Sequence, residues 1–166
     1  YVVATPIGNL ADLTLRAIHV LSLVDAVACE DTRHTAPLLR HLGLDKPLLA
    51  VHQHNEQTSS GDVIARLARG ERVAYVSDAG TPAVSAPGAA LVAAVAASGR
   101  AVVAIPGASS AITAVSVAGD TVGSGFRFIG FLPARGNERA LALKALAVAV
   151  ETQVLFEAPH RIEALV

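Results

Sequence analysis

Five short apolar runs, at 1–4, 26–29, 47–51, 72–77 and 101–105, alternate with helical patterns at 12–23, 35–42, 60–69, 88–98 and 109–118. Parallel strands need a crossover of about a dozen residues between them, usually a helix, so this alternation selects a parallel sheet. Runs such as Ala26-Val27-Ala28-Cys29 carry no polar residue on either face, the pattern of strands buried on both sides. The expected class is therefore α/β, an open parallel sheet with helices on both faces. Asp12 and Thr35 or Ser60 stand where N-caps belong, and Gly43, Gly70 and Gly99 where a helix ends on a left-handed residue.

The rhythm restarts after Gly119-Asp120-Thr121-Val122-Gly123-Ser124-Gly125, where three glycines in seven residues mark a hinge. Beyond it the pattern predicts a strand at 126–131, a basic helix at 136–150, a strand at 152–156 and the start of another helix. The expected organisation is an N-terminal parallel α/β domain over 1–122. Residues 123–166 are expected to form the hinge and the beginning of a second α/β domain whose remainder is absent. The chain has no Met, begins inside a strand-like run and stops in a helical one, and is expected to be a fragment at both ends.

With 52% apolar and 16% charged residues, the composition excludes a disordered, highly charged segment. No run approaches the ~18 apolar residues of a membrane helix, so no membrane association is expected. The single Cys29 excludes an internal disulfide and a cysteine zinc site and suits a cytoplasmic location. A formal net charge of −1 does not decide on nucleic acid. Local clusters say more: Arg33, His34, Arg40 and His41 form one basic group, and Arg127, Arg135, Arg139 and Lys144 another.

Ligands of open parallel sheets bind beyond the carboxyl ends of the strands, and every one of the five ends here carries an unusual segment. Thr5-Pro6-Ile7-Gly8-Asn9-Leu10 reads either as a plain turn or as a loop whose Gly8 admits close backbone approach and whose Asn9 is a polar contact. It is neither a dinucleotide fingerprint nor a P-loop. Glu30-Asp31-Thr32-Arg33-His34 either stays a solvated, self-paired loop or supplies a base and a phosphate-binding Arg. His52, His54 and Glu56 at alternate positions share one face of an extended strand, which permits metal ligation; a polar substrate loop is the expected role, and no metal is expected. In Ser77-Asp78-Ala79-Gly80-Thr81-Pro82, Asp78 is placed either to hold a ligand hydroxyl or amine or to cap a turn. Pro106-Gly107-Ala108-Ser109-Ser110 sets two hydroxyls and free N–H groups at a helix start, suited to an anion or to plain capping.

Read together with Gly130-Phe131-Leu132-Pro133 and Phe156-Glu157-Ala158-Pro159-His160-Arg161, these blocks closely resemble the ribosomal RNA small-subunit methyltransferase I family of the tetrapyrrole methylase superfamily. The order and approximate spacing hold across nearly all of the chain. The resemblance implies a tetrapyrrole methylase-like N-terminal domain, S-adenosyl-L-methionine as methyl donor, and the 2′-hydroxyl of a cytidine in the decoding region of 16S rRNA as acceptor. It also implies a homodimer acting on the small ribosomal subunit. The cofactor cradle it implies comprises Pro6, Gly8, Asn9, Asp78, Ala79, Gly80, Thr81, Ser109 and Ser110, with Phe131, Leu132 and Pro133. The RNA side is expected to hold Glu30, Asp31, Arg33, His34, His54, Asn55, Glu56, His160 and Arg161. Among these, Asp31, Glu56 or Glu30 is expected to act as base or to orient the hydroxyl, while Arg33 and Arg161 grip phosphates. The helix at 136–150, with Arg135, Arg139 and Lys144, either holds the RNA backbone or is a solvated face. Tetrapyrrole-acting relatives carry a Gly-Pro-Gly-Asp first loop; Thr-Pro-Ile-Gly-Asn-Leu here favours the rRNA branch. A tetrapyrrole methylase and a non-catalytic cofactor- or RNA-binding fragment are the alternatives.

Overall fold

A computed structural model describes the chain except residues 53–55, 86, 87, 122, 124 and 166; the side chains at 56, 57 and 164 also fall outside it. The chain forms two compact units, Tyr1–Ser109 and Ser110–Val166. They divide ahead of the glycine-rich stretch at 119–125, because the helix after Ser109 packs against a strand of the second unit.

In the first unit, β1 (Val2–Val3), β2 (Ala26–Cys29), β3 (Leu48–Ala50), β4 (Val73–Val76) and β5 (Ala104–Ile105) form one parallel sheet in the order β3-β2-β4-β1-β5. In register, Cys29 lies opposite Val76 and Val3 opposite both Val76 and Ile105. The crossovers carry α1 (Leu15–Leu23), α2 (Thr32–His41), α3 (Glu56–Ala68) and α4 (Ala89–Ala97). The period of two along each strand divides the core into two layers. Val27, Cys29, Ala74 and Val76 pack with Ala17, Val20 and Leu21 of α1 and Leu39 of α2. Ala28, Val73 and Tyr75 point the other way, to Val63 of α3 and Leu91 and Val95 of α4. Burying each such Val or Leu stabilises the fold by about 1.5–3 kcal/mol. The expected two-sided burial holds for β2 and β4 but not at the edges: β3 is half-buried, and before β5 Val102 and Val103 are exposed. An edge strand has a neighbour on one side only, and its outer flank faces solvent.

Local chemistry moves several helix starts from their expected places. Residues Leu10–Asp12 form a 3-10 turn capped by Asn9, and Thr14, not Asp12, caps α1 by accepting from the Ala17 N–H. Asp31 caps α2, which therefore begins ahead of Thr35. Likewise α3 begins at Glu56, ahead of Ser60. Where several Ser, Thr and Asp residues precede a helix, the one that can reach an orphan N–H becomes the cap. Gly43, Gly70 and Gly99 all adopt positive φ as helix terminators.

The second unit contains α5 (Ser110–Val117), β6 (Phe126–Phe131), α6 (Gly136–Ala147) and β7 (Thr152–Phe156). Strands β6 and β7 pair in parallel across the α6 crossover, and Phe156 meets Phe128 and Phe131 edge-on at 5.1 and 5.5 Å. The expected final helix is a 3-10 turn, Pro159–Ala164.

Candidate functional site

Three strands that are far apart in sequence, β2, β4 and β1, are neighbours in the sheet, so their carboxyl-terminal loops meet. Between them lies a cavity of about 270 Å³ lined by Thr5, Pro6, Gly8, Asn9, Leu10, His34, Thr35, Pro37, Leu38, Ser77 and Asp78. The loops are joined by short bonds. Buried Thr5 forms an antiparallel bridge with Gly80: its N–H donates to the Gly80 carbonyl at 3.0 Å, and the Gly80 N–H donates back at 3.1 Å. The Thr5 hydroxyl donates to the Ser77 carbonyl at 3.0 Å. Gly80 sits at φ +79°, and a Cβ there would lie 3.3 Å from Ile7 Cγ2, so the turn calls for glycine.

Asp78 ties the loop after β4 to the start of α2. Its Oδ1 accepts the Asp31 backbone N–H at 3.1 Å, and its Oδ2 lies 2.9 Å from His34 Nδ1. That hydrogen bond, with the Asp78 charge, raises the His34 pKa above the ordinary imidazole value. Asp31 accepts the Arg33 N–H at 2.8 Å as the helix cap and is paired with the Arg33 guanidinium at 2.6 Å. Those bonds to Arg33 hold the Asp31 carboxyl down at about 2. Glu30 is half-buried; burial and the Asp78 carboxylate push its pKa up. Neither Asp31, Arg33 nor Glu30 is among the residues lining the cavity. Ligating atoms of Asp31, His34 and Asp78 lie within 4.8 Å of one another, a spacing a cation requires, and all three are already engaged by the hydrogen bonds just described.

Of the expected cofactor residues, Pro6, Gly8, Asn9 and Asp78 line the cavity, while Ala79 and Gly80 build the turn behind it. Thr81 donates to the Ala108 carbonyl at 3.1 Å, fastening the loop after β5, in which Gly107 approaches β1 so closely that a Cβ would lie 2.9 Å from that of Ala4. Ser109 closes the first unit. In the second unit, Ser110 opens α5, Phe131 is exposed at the end of β6, Leu132 is buried, and the Pro133 carbonyl accepts from Arg139 at 3.2 Å. Glu157, after β7, receives Arg161 at 2.8 Å and Arg139 at 3.2 Å. The Ala158 N–H first, and the two guanidinium groups with it, hold the Glu157 carboxyl below its usual range. Arg161 and Arg139 are thus engaged within the unit, whereas Arg135, Lys144 and His160 are exposed. His54 and Asn55 lie outside the described residues, as does the side chain of Glu56.

Thr5, Leu10, Thr35, Pro37, Leu38 and Ser77 line the cavity without having been singled out for a role there. Pro37 carries a signal: a proline inside α2 cannot donate to the Arg33 carbonyl, a departure a helix tolerates only at some expense.

The family model described as "Tetrapyrrole (Corrin/Porphyrin) Methylases" matches residues 1–166. The chain belongs to the tetrapyrrole methylase family. It is 50% identical over 162 residues to a protein of Xylella fastidiosa and 48% identical over 162 residues to one of Escherichia coli O157:H7, both named ribosomal RNA small subunit methyltransferase I. These matches cover 98% of this chain but 59% and 56% of the two relatives, so the chain spans little more than half their length. Among solved structures, a diphthine synthase superposes with a TM-score of 0.72 at 17% identity, covering 95% of this chain and 63% of that one. A uroporphyrin-III-C-methyltransferase from Thermus thermophilus does so with a TM-score of 0.60 at 24% identity, covering 79% and 58%. Both likenesses concern the fold. The superfamily is one of S-adenosylmethionine-dependent methylases.

Residues of the first-unit cavity suit that cofactor. At Gly8 (φ +148°) a Cβ would meet nothing within 4 Å, so the loop leaves open space for a ligand beside its backbone. Asp78 offers a carboxylate to a hydroxyl or ammonium group, and Leu10, Pro37 and Leu38 offer apolar surface.

Proposed function

We propose that this chain is part of an enzyme that methylates the ribose 2′-hydroxyl of a cytidine in the decoding region of 16S rRNA, with S-adenosylmethionine as donor. The observation that carries this reading is the cavity at the carboxyl ends of β1, β2 and β4, in a chain half identical to proteins named as rRNA methyltransferases. Pro6, Gly8, Asn9 and Asp78 are proposed to hold the cofactor, with Ala79, Gly80, Thr81 and Ser109 shaping the loops around it. Ser110, Phe131, Leu132 and Pro133, in the second unit, are proposed as further cofactor contacts on the likeness of their motifs.

S-adenosylmethionine, when bound, supplies an electrophilic methyl group whose bond pair departs with a positively charged sulfur. The protein's own task is to hold the acceptor oxygen about 3–3.5 Å from that carbon and to take away a proton. RNA recognition is expected to rest on an exposed nucleotide and on phosphate contacts, for which Arg33, His160 and Arg161 are the proposed groups, together with His54 and Asn55. Arg33 and Arg161 each reach phosphate only by sharing or leaving a carboxylate, Asp31 or Glu157. Of the three carboxylates expected to act on the hydroxyl, Asp31 suits a positioning role, because it is held ionised by Arg33. Glu30 and Glu56 are likewise proposed to orient the acceptor hydroxyl. The enzyme is proposed to act in the cytoplasm as a homodimer on the small ribosomal subunit.

The test uses the full-length protein with radiolabelled S-adenosylmethionine and small ribosomal subunits. Nuclease digestion is expected to release label as 2′-O-methylcytidine. Label appearing in a tetrapyrrole, and not in RNA, refutes this reading in favour of a small-molecule methylase.

A further inference from the structure

We propose that His34, oriented by Asp78, is the group that accepts the proton of the acceptor hydroxyl. This rests on the methyl-transfer reading above and names its acid–base residue. His34 stands on the first turn of α2 and lines the same cavity as Pro6, Gly8 and Asn9. A carboxylate can only accept hydrogen bonds, so the 2.9 Å contact from Asp78 Oδ2 requires the proton on Nδ1. Nε2 is thereby left with its lone pair. Asp78 is itself held, because its other oxygen accepts the Asp31 N–H at 3.1 Å. An imidazole fixed in one tautomer by an anchored carboxylate is the arrangement that general-base catalysis needs. Asp31 and Glu30 do not line the cavity, and Asp31 is already engaged by Arg33.

In the step, the hydroxyl oxygen forms its bond to the methyl carbon, and the O–H bond pair stays on that oxygen. The proton passes to Nε2, and the resulting imidazolium faces the Asp78 carboxylate; water later removes the proton. The pair that bound the methyl group leaves with the sulfur, whose positive charge is discharged. Among the described residues, the charged groups acting on His34 are Asp78 from the loop after β4, Asp31 and Arg33 from the start of α2, and Glu30 just ahead of it. Asp78 and Asp31 raise the pKa of His34 and Arg33 lowers it, with Asp78 the largest influence.

The experiment combines kinetics, binding and a spectroscopic readout on the full-length protein. Single-turnover methyl transfer to small subunits is measured against pH for wild type, His34→Gln and Asp78→Asn, and the His34 ring is titrated by NMR. Calorimetry with S-adenosylmethionine accompanies each variant. His34→Gln is expected to bind cofactor within about threefold of wild type and to transfer methyl about 10²–10⁴-fold more slowly. The wild-type rate is expected to rise with pH through the pKa that NMR assigns to His34, and His34→Gln to lose that rise. Asp78→Asn is expected to lower the His34 pKa and carry the kinetic limb with it. Retention of the wild-type rate by His34→Gln overturns the proposal, as does a slow His34→Gln enzyme that keeps the wild-type pH limb. A wild-type protein that binds no S-adenosylmethionine overturns the methyl-transfer reading itself, and is told apart from a failure at His34 because it precedes any variant.

Discussion

Replacing Gly88 by alanine tests how tightly the sheet is packed beneath α4. Gly88 precedes α4 at φ +122°, and a Cβ there would run into Cε1 of Tyr75 and lie 2.6 Å from its hydroxyl oxygen. Tyr75 is a buried β4 residue of the α3/α4 layer, so its ring has to move. Two separate penalties follow. The left-hand backbone conformation costs a side chain roughly 1–3 kcal/mol, and overpacking a core costs roughly another 1–3 kcal/mol. The small apolar void beside the ring, about 40 Å³ between the sheet and helices α3 and α4, lets the ring retreat and places the second penalty toward its lower end. Gly99→Ala is the control: φ is +76°, and a Cβ there meets nothing within 4 Å, so only a backbone penalty applies. Native-state hydrogen exchange at the β4 amides of the full-length protein reads both. With backbone penalties of similar size, Gly88→Ala is expected to lower protection by about 5- to 30-fold more than Gly99→Ala, the equivalent of about 1–2 kcal/mol. Equal losses in the two variants would refute the packing argument and leave only the backbone effect.

Asp31, whose folded pKa of about 2 lies below its unfolded value, stabilises the fold above that unfolded value, near ~3.9, and loses the contribution as pH falls toward 2. Asp31→Asn is therefore expected to flatten the acid limb of a denaturation-midpoint profile between those values; an unchanged limb would place the linkage elsewhere. Cys29 is fully buried and its thiol pKa is pushed up by that burial, so thiol reagents are expected to label it only at the rate of unfolding, with labelling that accelerates in urea. Gly80→Ala places a Cβ at φ +79°, with a cost of about 1–2 kcal/mol, and disturbs the Thr5–Gly80 bridge. Cofactor affinity measured by calorimetry is expected to fall tenfold or more, with α-helical content unchanged.

Much of the fold could be read from residue order because burial leaves few choices. An unbroken apolar run such as Val73-Ala74-Tyr75-Val76 suits a strand between two helical layers and little else. Strand ends were equally legible, since Gly, Pro and Asp cluster where the backbone must turn. Cap identity was not. Asp12, Thr14, Asp31 and Thr35 are chemically alike as caps, and the choice is made by which of them reaches an N–H once the preceding turn has formed. Partnerships across long separations were also hidden. Nothing local to Arg139 announces that it reaches Glu157, and nothing local to Lys46 shows that it satisfies the Ser22 and Val24 carbonyls at the end of α1. Arg161 reads as a free phosphate clamp in sequence only because its carboxylate partner, at i−4, reads as part of a turn.

The crossing pattern explains why the site lies where it does. Strand order β3-β2-β4-β1-β5 makes β4 the neighbour of both β1 and β2, so a single loop, at 77–81, touches the loops after both. Through Ser77 and Gly80 it holds Thr5; through Asp78 it holds Asp31 and His34. These bonds join residues 44 to 75 positions apart, and the last of them closes only when the sheet is in register. A slip of one residue in β4 would turn Val73 and Tyr75 to the opposite layer and carry Asp78 away from α2 together with them. The apolar alternation that builds the two core layers therefore also sets the position of the carboxylate that orients His34. Mutations in the β4 core are expected to change the His34 titration even where they leave every cavity residue in place.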